Sequence, residues 1–272
     1  MSYRNGMVAI CVAAAIAFTG APAAADAVAQ TGRELLDAHK EAVVTVKLVV
    51  REQFTMQGRS GEATESTSEV AGTVISSDGL TVMSLSETDP GALFSMMGMG
   101  MEGVSIDSEV SDVQLITLDG SETPAQLILR DEDFDLAFVR PTERPESDWP
   151  YIDLTQDGNP ELLDQVIALN RLGRVAGRNH AASVSRIESV VERPRKFYIP
   201  GRGESGGSLG SPVFTLDGEI VGVKVLRAIR GAGGGVSSML RSGDTMTPII
   251  LPAIDIREAA EQAPARDENG DD

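Results

Sequence analysis

Residues 206–213, GGSLGSPV, contain the pattern G-x-S-x-G, in which Ser208 stands between two glycines. In enzymes built on a parallel sheet, this pattern presents a nucleophilic serine on a sharp turn from a strand into a helix. Here Ser208 is followed by Leu-Gly-Ser-Pro, then by an alternating strand pattern and the turn residues Asp217-Gly218. Because no helix is predicted after Ser208, the local pattern argues against a nucleophile on that kind of turn.

Charge and cysteine content exclude several other classes of function. The chain of 272 residues has a formal net charge of -18, which disfavours binding to nucleic acid or to an anionic membrane surface. Cys11 is the only cysteine, so neither a disulfide nor a thiolate metal site is expected. The Met- and Gly-rich stretch 91–103 contains no His or Cys, which favours an adaptable surface loop over a soft-metal site. No metal and no cofactor are expected.

The two ends of the chain are predicted to lie outside the fold. Residues 1–25 combine Arg4, an apolar run too short to span a bilayer comfortably, and small residues near Ala25, as in a secretory signal peptide. We therefore expect export to the periplasm or beyond, with no stable membrane insertion after cleavage. Residues 264–272 are polar and acidic, and they are expected to form a disordered tail.

Between these ends, hydrophobic periodicity predicts an all-β protein with one helix at each terminus. The helix within 26–41 is predicted to start at an N-cap, Thr31, with Glu34 completing a capping box, and a second helix is predicted at 254–263. Many short strands separated by turn residues are typical of a barrel or sandwich. The eleven predicted strands are 42–50, 69–76, 80–86, 112–118, 124–130, 135–140, 165–170, 182–191, 211–216, 219–226 and 247–253.

The stretch 207–225, GSLGSPVFTLDGEIVGVKV, resembles the nucleophile region of trypsin-like serine proteases, particularly the HtrA/Do branch. That branch usually has G-N-S-G-G-P, then a strand, an Asp-Gly turn and a second strand. In this register the nucleophilic serine of the family falls on Leu209, whose side chain has no proton to lose and no lone pair. The resemblance implies that the backbone N–H groups of Gly207 and Leu209 form what remains of the oxyanion hole.

Two more stretches carry the same resemblance. AGTVISSDGLTVMSLSETDP (71–90) is similar to the region of the catalytic histidine, and Ser86 occupies the histidine position. RDEDFDLAFVRP (130–141) is similar to the region of the triad aspartate, which falls on Asp135. The resemblance covers 42–263 and leaves no room for a following PDZ domain. It implies a trypsin/chymotrypsin-like double β-barrel, with barrels at about 42–145 and 150–252 and a closing helix at 254–263.

Three other residues are candidates for the missing base. His39 lies on the predicted N-terminal helix, and His180 lies in a polar connection before a predicted strand. Lys224 lies on the strand after the Asp-Gly turn and could pair with Ser208. However, Ser208 is one residue out of the nucleophile register, and such a shift along an extended segment turns a side chain to the opposite face. None of the three is therefore expected to activate Ser208.

The resemblance without its nucleophile and base predicts a non-catalytic pseudoprotease that binds extended or unfolded segments of peptides and proteins. Two alternatives remain. The chain could be an active serine endopeptidase that uses an unconventional residue such as Ser208. It could also be a regulatory subunit that assembles with itself or with a paralogous active protease.

Overall fold

The structure is a computed structural model, and it describes residues 24–56, 59–88, 104–201, 208–228 and 246–265. These ranges contain two α-helices, α1 (Ala24–His39) and α2 (Ala253–Ala260), and thirteen strands. The strands are β1 Val43–Met56, β2 Arg59–Ser60, β3 Thr64–Val74, β4 Thr81–Ser84, β5 Val104–Ile116, β6 Glu122–Asp131, β7 Leu136–Pro141, β8 Gln165–Arg171, β9 His180–Val191, β10 Phe197–Pro200, β11 Pro212–Thr215, β12 Ile220–Ala228 and β13 Met246–Pro252.

The first barrel closes because β1 pairs with strands on both of its sides. Its order is β1-β3-β4-β7-β6-β5, and antiparallel pairing of β5 with β1 completes the ring, while β2 adds a short hairpin to β1. The apolar run that begins at Val43 supplies fully buried side chains, including Val44, Val46 and Leu48. Burial of these branched side chains is the main force that holds the barrel together.

The second barrel is a closed ring of six strands in the order β10-β13-β12-β11-β8-β9. The predicted all-β double barrel, with a helix toward each end of the described chain, is therefore confirmed. Strand β10, which joins β9 to β13, was not predicted, and neither was the two-residue β2. Strand β10 is only four residues long and ends in Pro200, so it is too short to show an alternating pattern.

The predicted start of the N-terminal helix is wrong. Helix α1 begins at Ala24, and Thr31 lies inside it rather than at its N-cap. Glu34 accepts a hydrogen bond from the Gln30 side chain at 2.9 Å instead of closing a capping box. The alanine-rich stretch before Thr31 has high helix propensity, which explains the earlier start. At the other end of the chain, α2 covers 253–260 and is shorter than the predicted 254–263.

Polar contacts connect the two barrels. Arg178, beside the 3-10 turn Arg174–Ala176, binds both carboxylate oxygens of Glu69 on β3, at 2.7 and 2.8 Å. Arg171 at the end of β8 donates to the carbonyl oxygen of Thr117 at 2.8 Å. A bidentate arginine–carboxylate pair fixes orientation as well as distance, so these contacts restrict rotation of one barrel against the other.

Several predicted segments lie outside the described residues. They are the signal peptide up to residue 23, the stretch 91–103, Gly207 and the tail from residue 266. No helix within the described ranges is long and apolar enough to cross a bilayer.

Candidate active site

Asp135 lies in the turn between β6 and β7, in a left-handed conformation with φ of 58°. The preceding residues build this turn, because the Asp131 carboxylate accepts the backbone N–H groups of Asp133 at 3.0 Å and Phe134 at 3.1 Å. Aspartate favours such turns, since its short side chain bonds the backbone that follows it. The turn leaves Asp135 only 9% exposed, at the junction of the two barrels.

Four hydrogen bonds from three different elements converge on the Asp135 carboxylate. One oxygen accepts both the N–H of Ser86, at 2.7 Å, and its hydroxyl, at 2.6 Å. The other oxygen accepts the hydroxyl of Ser84 at the end of β4 and the N–H of Leu226 on β12, the latter at 2.8 Å. The carboxylate is thus fully occupied by donors from both barrels.

Burial has the largest effect on the pKa of the Asp135 carboxylate. Desolvation raises the pKa of Asp135, and the hydrogen bonds from Ser84 and Ser86 oppose that rise. Burial also raises the pKa of the neighbouring Glu87, and the negative charge of Asp135 adds to the effect. The site therefore holds two acidic groups whose charged forms are costly.

The 3-10 turn Leu85–Glu87 directs Ser86 at Asp135. The N–H of Leu85 donates to the main-chain carbonyl oxygen of Asp135 at 2.9 Å, and the hydroxyl of Thr88 donates to the carbonyl oxygen of Leu85 at 2.7 Å. Because Ser86 is bonded through both its amide and its hydroxyl, its proton is directed to the carboxylate. In this arrangement a serine contacts the acid at the position where the family resemblance expects an imidazole.

Leu209 and Gly210 form the turn that leads into β11, and hydrogen bonds connect this turn to both barrels. The N–H of Gly210 donates to the carbonyl oxygen of Lys224 on β12 at 2.7 Å, and its carbonyl oxygen accepts the hydroxyl of Thr73 on β3 at 2.7 Å. Gly210 has a φ of 81°, and a Cβ atom there would come within 2.2 Å of the Ala71 carbonyl oxygen. Only glycine fits this contact without movement.

Strand β12 holds the turn of Leu209 and the carboxylate of Asp135 near each other. The turn containing Leu209 bonds Lys224, and the Asp135 carboxylate bonds Leu226, two residues further along β12. At a rise of about 3.3 Å per residue, these two anchoring points are separated by roughly 7 Å. The structure thus brings Ser86 and Asp135 into contact and holds the Leu209 turn beside them, while the roles assigned to these residues stay predictions.

Beyond Lys224, one edge of β12 pairs with no strand in the described part of the chain, and we call it the open edge. Strand β11 pairs with β12 as far as Val223, after which the N–H of Lys224 donates to the carbonyl oxygen of Ser211 at 3.0 Å. In an antiparallel ladder, alternate residues point their main-chain groups the same way, so Leu226 and Ala228 face this edge too. Of these groups, the N–H of Leu226 already donates a hydrogen bond to the Asp135 carboxylate. Within the described ranges, no strand pairs with the rest of this edge.

Ser208 is not in contact with a base among the described residues. Its hydroxyl lies 3.3 Å from the hydroxyl of the buried Ser211. The ring of His39, at the end of α1, stacks on Phe214 with centroids 5.0 Å apart, and burial lowers the pKa of this histidine. His39 therefore helps to pack α1 on the second barrel.

His180 is part of strand β9, and the prediction that it lies in a connection is wrong. Its Nε2 atom lies 3.0 Å from the carbonyl oxygen of Val43 and 3.2 Å from Nη1 of Arg171. Desolvation is the main cause that lowers the pKa of His180. These contacts give His180 a structural place where β9 meets the start of β1.

Three residues of the site, Ser84, Thr73 and Leu226, were not predicted from the sequence. Ser84 had a detectable signal, because it lies two residues before Ser86 and shares its face in an extended segment. The hydroxyl of Thr73 donates to the carbonyl oxygen of Gly210, which is distant in the sequence. Leu226 contributes only its main-chain N–H, which donates to Asp135. Neither contact leaves a recognisable pattern in the sequence.

Comparison with known proteins identifies the family of this chain. Residues 70–223, more than half of the chain and including Ser86, Asp135 and Leu209, match the model of the trypsin-like peptidase domain. The chain belongs to the trypsin-like peptidase domain family. No curated protein is significantly similar to it in sequence.

Two solved structures share the fold of this trypsin-like domain. The MamO protease domain from Magnetospirillum magneticum (apo form) aligns with a TM-score of 0.50 and 13% identity, covering 81% of this chain and 96% of that one. A serine endoprotease from Yersinia pestis aligns with a TM-score of 0.54 and 15% identity, covering 85% of this chain and 65% of that one. At these identities the likeness extends to the fold alone.

Proposed function

We propose that this trypsin-like domain is a pseudoprotease, a peptide-binding protein that does not hydrolyse its ligand. The observation that carries the proposal is the pair of hydrogen bonds from Ser86 to one oxygen of Asp135. Acyl transfer by a triad needs a base that takes the proton of the nucleophile, and the aspartate only orients that base. Here a hydroxyl, which is a poor base at neutral pH, is the group that Asp135 orients.

Leu209 supports the same proposal, and it concerns the nucleophile rather than the base. In the family register Leu209 replaces the nucleophile, and a hydrocarbon cannot attack a carbonyl carbon. Sites that lack nucleophile and base keep at most about 10³–10⁴-fold acceleration over water, from backbone donors and binding alone. Such a rate is too slow for peptide hydrolysis to matter.

Binding of extended peptide does not depend on the triad. The open edge of β12 beyond Lys224 offers the carbonyl group of Leu226 and both main-chain groups of Ala228 to an added strand. Strand addition of this kind takes its affinity from main-chain hydrogen bonds and its preference from side-chain pockets. The ligand class is therefore an extended or unfolded segment of a protein.

Binding and cleavage should be measured on the same protein. Fluorescence anisotropy with labelled extended peptides, such as fragments of casein, is expected to show saturable binding, while casein itself stays uncut. Ala228→Pro removes an N–H from the open edge and should weaken binding about tenfold or more, whereas Arg227→Ala, whose backbone faces β13, serves as the matched control. Cleavage of casein that survives Leu209→Ala, or binding unaffected by Ala228→Pro, would contradict the proposal.

We also propose that the protein acts after export, as the signal-like residues 1–25 suggest. Expression with these residues should deliver a shortened chain to the periplasm or the medium. N-terminal sequencing of that chain is expected to begin close to Asp26. An uncleaved chain that stays in the cytoplasm would exclude this part of the proposal.

A further inference from the structure

Strands β5 and β6 form a fork on the first barrel. They pair where Val113–Ile116 meets Glu122–Ala125, and beyond that point they separate. The earlier part of β5 stays with β1, whereas the later part of β6 follows β7. Within the described ranges, no strand pairs with either side of the fork.

A β-bulge bends each strand at the fork. In β5, Ser111 is the extra residue, because its neighbours oppose consecutive residues of β1, and its hydroxyl donates to the carbonyl oxygen of Val49 at 3.1 Å. In β6, Ile128 is the extra residue, because Leu127 and Leu129 oppose consecutive residues of β7. Bulges increase the local bend and twist of a strand, so the separation is built into the register of the barrel.

The fork encloses an open groove of about 490 Å³. Its apolar lining includes Val110, Leu127 and Leu129, which are partly buried and pack against the barrel core. Among the charged lining residues, Glu109 and Asp112 on β5 are exposed acids, and Arg130 on β6 is the exposed cation. The groove is therefore apolar at its base and acidic along one rim.

The main chain of β6 also faces this groove. The N–H of Thr142 donates to the carbonyl oxygen of Pro124 at 2.9 Å, so Pro124 points its carbonyl group toward the β7 side. Alternation along the strand then points the main-chain groups of Ala125 and Leu127 toward β5. Ala125 is opposite Val113, but Leu127 lies past the pairing and presents its groups to the fork.

We propose that the fork binds a second extended peptide, one in which apolar residues alternate with lysine or arginine. Its main chain would pair with β6 at Leu127, its apolar side chains would lie on Val110 and Leu129, and its cations would contact Glu109 and Asp112. A second copy of this chain fits less well, because the net charge of -18 opposes self-association at an acidic rim. This site lies on the first barrel and does not depend on the β12 edge.

Two synthetic peptides test the charge preference. An acetylated peptide of alternating Lys and Val is expected to bind, and the matching Glu and Val peptide is expected to bind at least about tenfold more weakly. The paired change Glu109→Lys with Asp112→Lys should reverse this order. Equal binding of both peptides, or an order unaffected by the charge reversal, overturns the proposal.

A backbone variant tests the strand pairing. Leu127→Pro removes the N–H directed at the fork without removing a hydrogen bond to β7, so it should weaken binding of the Lys and Val peptide about tenfold or more. The loss of its packed side chain should also lower Tm, and binding is therefore compared well below the Tm of the variant. Ala228→Pro should leave this binding intact, which separates the fork from the β12 edge. If Leu127→Pro does not fold, amide exchange of the native protein decides, because binding should newly protect the Leu127 amide.

Other occupants of the fork would be recognised by two outcomes. Strong protection of the Leu127 amide in the absence of peptide would mean that another part of the chain already covers it. A dimer that the paired charge change dissociates would assign the fork to a second copy. Either result overturns the proposal.

Discussion

Ser86 donates both its amide and its hydroxyl to a single carboxylate oxygen of Asp135. The same carboxylate receives donors from Ser84 and from Leu226 on the opposite barrel. Asp135 is thus a buried acceptor that ties the two barrels together. This structural role is measurable as stability.

Removal of the Asp135 carboxylate should destabilise the fold. Asp135→Ala leaves buried donors without an acceptor and places alanine at a positive φ, so the free energy of unfolding should fall by about 2–4 kcal/mol. Asp135→Asn keeps one acceptor oxygen and tolerates the left-handed conformation, so it should cost about half as much. Urea denaturation measures both, and an unchanged midpoint for Asp135→Ala would show that the four bonds contribute nothing.

If the proposed function is correct, a nucleophile and a base introduced at positions 209 and 86 should create reactivity. Leu209→Ser combined with Ser86→His places a nucleophile and a base beside an acid that is already positioned. Labelling by a fluorophosphonate probe should be at least about 100-fold faster in the double variant than in Leu209→Ser alone, since a general base contributes about 10²–10⁴-fold. Equal labelling of the two variants would mean that the register of Ser86 and Leu209 is incorrect.

The partly buried acid Glu87 should make stability depend on pH. Because burial raises the pKa of Glu87 in the folded state above its ordinary value of 4.5, ionisation disfavours the fold, and stability is lost as the pH rises through the raised pKa. Glu87→Gln should therefore raise the urea midpoint at pH 7, and the gain should vanish below pH 4.5, where Glu87 is protonated in both states. The exposed Glu143→Gln is the control, and an equal gain at both pH values would refute the assignment.

Gly210 should tolerate no side chain. Gly210→Ala forces a Cβ against the Ala71 carbonyl oxygen as well as adding strain at positive φ, so it should cost about 3 kcal/mol or more. Gly120 has a similar φ of 85°, but a Cβ atom there would have no other atom within 4 Å. Gly120→Ala should therefore lower the free energy of unfolding by only about 1 kcal/mol. Similar losses in thermal unfolding would show that the turn is not held against β3.

Local pattern predicted the class of the fold, and the family resemblance predicted its architecture. Alternation and turn residues indicated eleven strands in an all-β barrel or sandwich, whereas the double barrel was implied by the resemblance of short motifs to trypsin-like proteases. The roles of Ser86, Asp135 and Leu209 are implied by the resemblance of short motifs, and they stay predictions, although the structure brings Ser86 into contact with Asp135. The short strand β10 and the true start of α1 were missed, because neither has a distinctive local signal.

By itself, the sequence determined which chemical groups are available: a carboxylate at 135, a hydroxyl at 86 and a hydrocarbon at 209. Only the tertiary structure decided what each group contacts, because Asp135 and Leu226 are separated by most of a barrel along the chain yet share a hydrogen bond. The fork at Leu127 likewise depends on two bulges, and a bulge appears only when two strands pair. Residue types fix the possible chemistry, whereas contacts between distant segments depend on closure of the barrels.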